Sequence, residues 1–349
     1  MKRGIKTHIR RGGLTGILAV LLIAVLTLVL AACGDQNKVT RQDPLVFLVT
    51  DTGSIGDSGF NDAGWSGCEQ AGQDADIDIR CLESADTTEL EHNLQSAGKD
   101  QAQTVIVMGG EHGEVLQRTS RNYPDSDFVI VGGNVYGSNT AAISFRDEQA
   151  GYLAGLAAAS MTRTNVVGFV GGRRTSAARR CEIGYRAGVR TVRSDIKVVS
   201  GYTGSFSDSD AAQRQAESLY RSGADAIFHD AHSAGRGVIA AAGEKNFFVI
   251  GSDVDQSVCD SKHVLCSITR DISGSVAKEI ERSVKGSFQA GTIERSVGDK
   301  GIGFSDNAGN LPDFVCDRLT EAEQQIRKER IVVPQTKKEL QSFRAPELE

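Results

Sequence analysis

Short runs that are apolar on both faces recur along the chain, at 45–49, 77–81, 104–108, 128–131, 142–145, 166–170, 198–201, 226–229, 248–251 and 264–268. They are rich in Val, Ile and Phe, and each has the length of a buried strand. Between most of them lie segments with apolar residues at helical spacing: 88–98, 147–161, 178–192, 208–223, 236–243 and 273–289. A further helix is expected from about Phe60, with Trp65 packing beneath the preceding turn and Tyr152 and Leu153 in the core. Two-face apolar strands that alternate with helices predict parallel sheets covered on both sides, an α/β architecture of doubly wound sheets. No repeat of 20–50 residues is present, which argues against a solenoid.

The first 33 residues follow another pattern. Lys2, Arg3, Lys6, Arg10 and Arg11 form a basic head, 16–30 is an apolar run, and Leu30-Ala31-Ala32-Cys33 closes it. A charged head, an apolar middle and small residues at a cleavage point read as a secretory signal, and the run is shorter than the ~20 residues that span a bilayer. Cys33 after Leu-Ala-Ala resembles a bacterial lipobox. That resemblance implies a diacylglycerol on the thiol, acyl chains of the palmitate type, and Cys33 as the first mature residue. Two or more acyl chains anchor stably. A plain signal anchor with an incidental Cys33 is the alternative. Residues 34–44 are polar and read as a tether.

From about Leu45 some 300 residues remain, enough for two lobes. The chain carries 39 Lys+Arg and 45 Asp+Glu, a formal charge of −6. Without the five basic residues of the head the balance is 34 against 45, near −11. Such an acidic surface argues against nucleic acid as a partner. Beyond Cys33 there are six cysteines. An even number outside the cytosol suggests disulfides, with Cys259–Cys266 closing a short loop, Cys68–Cys81 flanking a helix-to-strand connection, and Cys181–Cys316 left by elimination. Zinc spacing is missing.

In doubly wound folds ligands gather at the carboxyl ends of strands. The turns there carry Asp51 and then Phe60-Asn61; Gly109-Gly110-Glu111; Gly132-Gly133-Asn134; Arg173-Arg174; Phe206; His229 to Arg236; Asp253 to Gln256; and Arg270. They lack a Ser-His-Asp arrangement, a Walker lysine or HExxH, so no cofactor is implied. Two phenyl groups on separate turns, one per half, suit a flat ring held between them. Carboxylates nearby suit hydroxyls or a ring N–H.

The stretch "VTDTGSIGDSGFNDAGWSG" is similar to the opening of the basic membrane protein family, lipoproteins of ABC importers that include purine-nucleoside receptors. "FRDEQAGYLAGLAAA", "VGFVGG", "CEIGYRAGVR", "GSFSDSDAAQ", "GADAIFHDAHSAGRGVIAAA" and "IGSDVDQ" follow in the family's order. The resemblance implies a type I periplasmic-binding-protein fold. Two lobes, 45–145 plus 272–300 and 149–267 plus 305–349, would be joined by crossings near 145–148, 268–271 and 301–304. It implies that Phe60 and Phe206 sandwich a purine, that Asn61 reads the base, that Asp51 and Asp253 face the nucleoside, and that Gly235 lies by the sugar. Two departures bear on the ligand. Gly132-Gly133-Asn134 stands where purine receptors place an Asp, leaving Asn134 as a possible substitute, and Arg270 aligns with a family Lys.

The expected function is thus a lipid-anchored, extracytoplasmic, monomeric receptor that binds a purine nucleoside and hands it to an ABC permease. Other readings are a receptor for another nucleoside, base or sugar, a signalling protein, and a nucleosidase; the turns offer no nucleophile–base pair for the last. His229 and His232 could hold a metal or simply line the cleft, with no metal site expected. Arg173-Arg174 could grip a phosphate or form a solvated rim. Asp57 could touch the ligand or hold its loop and cap the helix from Phe60.

Overall fold

A computed structural model describes residues 43–74, 76–344 and 346–348. The basic head, the apolar run and Cys33 lie outside the described residues.

The elements run β1 (Leu45–Val49), α1 (Phe60–Asp74), β2 (Asp78–Leu82), α2 (Thr87–Lys99), β3 (Thr104–Met108), α3 (Gly113–Ser120), β4 (Asp127–Val131) and β5 (Thr140–Phe145). Then come α4 (Asp147–Met161), β6 (Val166–Gly171), α5 (Ser176–Val192), β7 (Lys197–Tyr202), α6 (Ser209–Arg221), β8 (Ala226–Asp230), α7 (Gly235–Lys245), β9 (Phe248–Asp253) and β10 (Val264–Arg270). The chain continues through α8 (Ile272–Val284), β11 (Gly291–Arg295), β12 (Ile302–Ser305), α9 (Asp313–Arg327) and α10 (Lys337–Ser342).

The strands make two sheets of six, ordered β11-β5-β4-β3-β1-β2 and β12-β10-β9-β8-β6-β7. All pairs are parallel except β10 with β12. The doubly wound α/β class expected from the strand pattern is what the chain adopts. The central strands β1, β3, β4 and β8 are buried along nearly their whole length. That is the condition under which strands read as continuous apolar runs. β11 and β12 were not legible. Gly-Thr-Ile-Glu-Arg and Ile-Gly-Phe-Ser are half-polar edge strands whose identity comes from pairing with β5 and β10. The chain passes between the sheets three times: at β5 to α4, at β10 to α8, and over residues 296–301 between β11 and β12. Residues 302–304, where a crossing was expected, lie within β12.

Helices α4 and α5 pack closely against one another. α4 is buried almost all round, from Asp147 to Ala159. It meets α5 backbone to backbone through Gly151 and Gly155 on one side and Gly184 and Gly188 on the other. A Cβ on any of the four would lie 1.9–2.1 Å from a carbonyl oxygen of the facing helix. Only a missing side chain permits this approach.

The disulfide expectation is corrected. All six cysteines stand as free thiols. Cys259 is exposed on the loop after β9, whereas Cys266 faces the core from β10. Cys68 is buried in α1 and Cys81 is half-buried on β2; Cys181 is buried in α5, and Cys316 lies on α9. Burial raises the Cys81 thiol to about 11 and pushes those of Cys68, Cys181 and Cys266 still further up.

Candidate functional site

The carboxyl ends of both sheets face one cavity of about 570 Å³. Its wall takes Phe60, Glu111, Gly132 and Asn134 from one lobe and Asp147, Arg180, Phe206, Asp230, His232, Asp253 and Arg270 from the other. The volume suits a small ligand.

Asp51, on the turn after β1, is fully buried. Its Oδ1 accepts from Gly53 N at 2.7 Å and Asn61 Nδ2 at 2.8 Å, and its Oδ2 lies 3.1 Å from His232 Nδ1. Burial pushes the Asp51 carboxyl up, but the His232 hydrogen bond and charge, Asn61 and Gly53 outweigh it and hold it below its ordinary value. Asn61 spends its whole amide inside the protein. Its oxygen accepts from Asp51 N at 3.2 Å, and its nitrogen donates to Asp51 and, at 3.2 Å, to Asp57. Asn61 therefore orients Asp51, and both N–H donors of its amide are engaged within the protein in this arrangement. Asp57 accepts from the backbone N–H groups of Gly59, Asn61 and Asp62. It thereby satisfies donors at the start of α1 that have no partner within the helix.

Phe60 opens α1, and Phe206 lies on the turn after β7. Both are almost fully buried and both reach the cavity. They face one another across the imidazole of His232. That ring is stacked on Phe60 at 4.0 Å with an interplanar angle of 11°, and on Phe206 at 4.2 Å with 16°. Burial opposes a charge on His232, but the hydrogen bond and charge of Asp51, with Asp253 and Glu111, raise it to about 9. His229 is different. It is buried on β8 and donates from Nε2 to Gln256 Oε1 at 2.8 Å, an oxygen that also accepts from Ser252 N. Burial lowers its pKa, so it is neutral at pH 7. The two histidines do not converge, and among the described residues no group of three or more His, Cys, Asp or Glu is placed to hold a metal.

Arg270, at the end of β10, is surrounded by three carboxylates: Asp253 at 2.7 Å, Asp230 at 3.1 Å and Asp147 at 3.4 Å. Burial acts against the guanidinium, and these acids more than offset it, so its pKa lies well above the ordinary arginine value. Burial raises Asp147 to about 6 in spite of Arg270. Asp230 was not singled out by sequence reasoning, because its meaning depends on Arg270, 40 residues away.

Gly235 lies off the cavity wall and packs on His229, whose ring a Cβ would meet at 2.2 Å. Asn134 is exposed and lines the cavity. Gly132 has φ +87°, and a Cβ on neighbouring Gly133 would lie 2.6 Å from Gly110 Cα. The two turns touch through their backbones, leaving Gly132-Gly133 little room for side chains. Arg173 and Arg174 are exposed, with the Arg174 guanidinium 4.2 Å over the Tyr202 ring.

The lobes are also joined directly by hydrogen bonds. Ser233 Oγ donates to Asp57 at 2.8 Å, Arg236 to Gly56 O at 3.1 Å, and Gln256 Nε2 to Ser58 O at 3.1 Å.

Two doubly wound lobes joined by three crossings, with one cavity between their carboxyl ends, define a hinged binding protein. Solved solute-binding proteins share the architecture. One from Aeropyrum pernix K1 superposes with a TM-score of 0.77 at 22% identity, covering 86% of this chain and 96% of that one. One from Conexibacter woesei superposes with a TM-score of 0.67 at 22% identity, covering 84% and 99%. The chain belongs to the Bmp family of PnrA-like ABC transporter substrate-binding proteins, whose pattern it matches over residues 45–337. Among similar chains are the CD4+ T-cell-stimulating antigen of Listeria monocytogenes, 31% identical over 92% of this chain and 98% of that one. The ABC transporter nucleoside-binding protein BmpA of Lactococcus lactis is 31% identical over 91% and 98%. Basic membrane protein A of Borreliella afzelii is 27% identical over 89% and 98%. The family and these solute-binding neighbours bind substrates for transport; they are not enzymes.

Proposed function

We propose that this substrate-binding protein is held to the extracytoplasmic face of the membrane by lipid on Cys33, acts as a monomer, and delivers a purine nucleoside to its ABC permease. The observation that carries the nucleoside reading is the pair of phenyl faces, Phe60 and Phe206, lying nearly parallel on either side of one flat ring at the cavity wall. A flat base suits that slot. Asp253, Asp230 and Arg270 beside it offer acceptors and donors for sugar hydroxyls. The Lactococcus lactis relative is itself named for nucleoside binding. In operation the lobes open and close about the three crossings, and a ligand that touches both faces favours the closed form.

The test is a thermal-shift and calorimetric panel of inosine, guanosine, adenosine, free bases and ribose. A receptor raises its Tm with nucleoside by mass action and releases no free base. No shift with any nucleoside at millimolar concentration would remove the proposal. A second reading, another nucleoside or a sugar, draws on Asn61, whose amide is committed to Asp51 and Asp57. The same panel separates it. Metabolic palmitate labelling of the full chain and a Cys33→Ala variant test the anchor: loss of label and of membrane association is expected.

A further inference from the structure

The slot between Phe60 and Phe206 is filled by the chain itself. His232 sits in a 3-10 turn, His232–Ala234, between β8 and α7. Its backbone has φ +47°, a left-handed conformation that non-glycine residues rarely adopt. From there the imidazole enters between a phenyl of its own lobe and one of the other, and reaches Asp51 across the cleft. Two stacks and one ion pair converge on a single ring whose backbone is disfavoured. The five charged or titratable groups around it come from four places: Asp51 after β1, Glu111 and His112 after β3, His229 on β8, and Asp253 at the end of β9.

We infer that His232 is a resident occupant of the planar slot, so that a flat ligand binds by displacing the imidazole and competes with it. The geometry stands without reference to any ligand; only the choice of nucleoside as the displacing guest rests on the function proposed above. Displacement has a chemical condition. Asp51 Oδ2 loses its partner and remains in a fully buried residue, so the incoming ring must return a donor to it. Guests with an N–H or a cationic edge meet that condition, and flat rings without one do not.

The experiment uses the full chain and H232G. Glycine adopts a positive φ without penalty, so the variant keeps the turn. In the wild type the His232 ring protons are expected upfield of free histidine, between two phenyl faces, in the NMR spectrum; resonances at the free-histidine position overturn the inference. H232G has an imidazole-sized gap, so millimolar imidazole should raise its Tm and leave the wild type unmoved. Furan, of similar size with no N–H, should do so far less. An equal imidazole response in the two proteins overturns the slot, and an equal response to furan overturns the donor condition. Inosine and guanosine should bind H232G about ten-fold tighter or more, because the competent fraction is no longer reduced by the resident ring. Equal or weaker nucleoside binding by H232G, with the wild type still binding, overturns competition and leaves the nucleoside reading intact. If neither protein binds a nucleoside while the ring shifts and imidazole filling hold, the resident occupant stands and the nucleoside reading falls.

Discussion

Replacing Arg270 with Met tests the physical logic of the cleft floor. The guanidinium is one cation set against three carboxylates at 2.7, 3.1 and 3.4 Å, with only 5% of its side chain exposed. Removing one partner of a buried ion pair typically costs about 3–5 kcal/mol, because the remaining charge is left uncompensated. Here the residual charge is threefold, so the upper part of that range is expected at pH 8. The pH dependence follows from Asp147, which burial already raises to about 6 with Arg270 present. A carboxyl raised in the folded state binds a proton that the unfolded chain does not. Stability is therefore gained as pH falls through the folded value toward the ordinary one near 3.8. Without Arg270, whose charge holds it down, the Asp147 carboxyl rises further. Each additional proton taken up by the folded state alone between pH 8 and pH 5 is worth at most about 4 kcal/mol. Urea unfolding followed by circular dichroism should thus show R270M losing about 4–5 kcal/mol at pH 8 and recovering more than half of it, relative to wild type, at pH 5. A loss below about 1 kcal/mol at pH 8, or one that grows on acidification, would refute the reasoning.

Three further outcomes are expected. Phe206→Ala should weaken nucleoside binding by roughly ten-fold or more, since it removes one stacking face and its buried area, while the circular dichroism of the lobes stays unchanged; unchanged affinity in calorimetry contradicts the role given to Phe206. His232 is raised to about 9 from 6.5, so its stabilisation is complete below about 6.5 and is lost as pH rises through about 9. That share is at most about 3 kcal/mol, so the stability advantage of wild type over H232G in urea unfolding should shrink by up to this amount between pH 6.5 and 9.5, with a constant difference contradicting the ion pair to Asp51. Gly155→Ala drives a Cβ to within 2.1 Å of Tyr185 O and should destabilise by about 1–3 kcal/mol or more. Gly243→Ala in α7, whose Cβ meets side-chain atoms alone, the Asp260 carboxylate at 3.1 Å and His263 Nδ1 at 3.9 Å, should be close to neutral or stabilising; equal denaturation midpoints for the two variants contradict the backbone-to-backbone account of α4 and α5.

Much of the architecture was legible because it is written locally. A strand covered on both faces must be apolar at every position, so β1, β3, β4 and β8 stand out as runs. The turns that follow such strands in one parallel sheet all emerge at one end, which is why Phe206, Asp253 and Arg270 could be placed near one another within their lobe, whereas Phe60 of the other lobe was set opposite them only by the family resemblance. The glycine pairs of α4 and α5 were visible as letters but not as a contact, since each pair gains its meaning only from the helix that faces it.

The sequence by itself determined the α/β class, the order of most elements, and the set of turns from which a ligand site could be drawn, because periodicity and turn chemistry depend on near neighbours. Tertiary structure alone decided that His232 fills the slot between the two phenyl groups, that Asn61 serves Asp51, and that Asp147, Asp230 and Asp253 close on Arg270. Asp51 and His232 are 181 residues apart along the chain. Whether such groups meet depends on how two separate sheets are set against each other, and no local pattern carries that information.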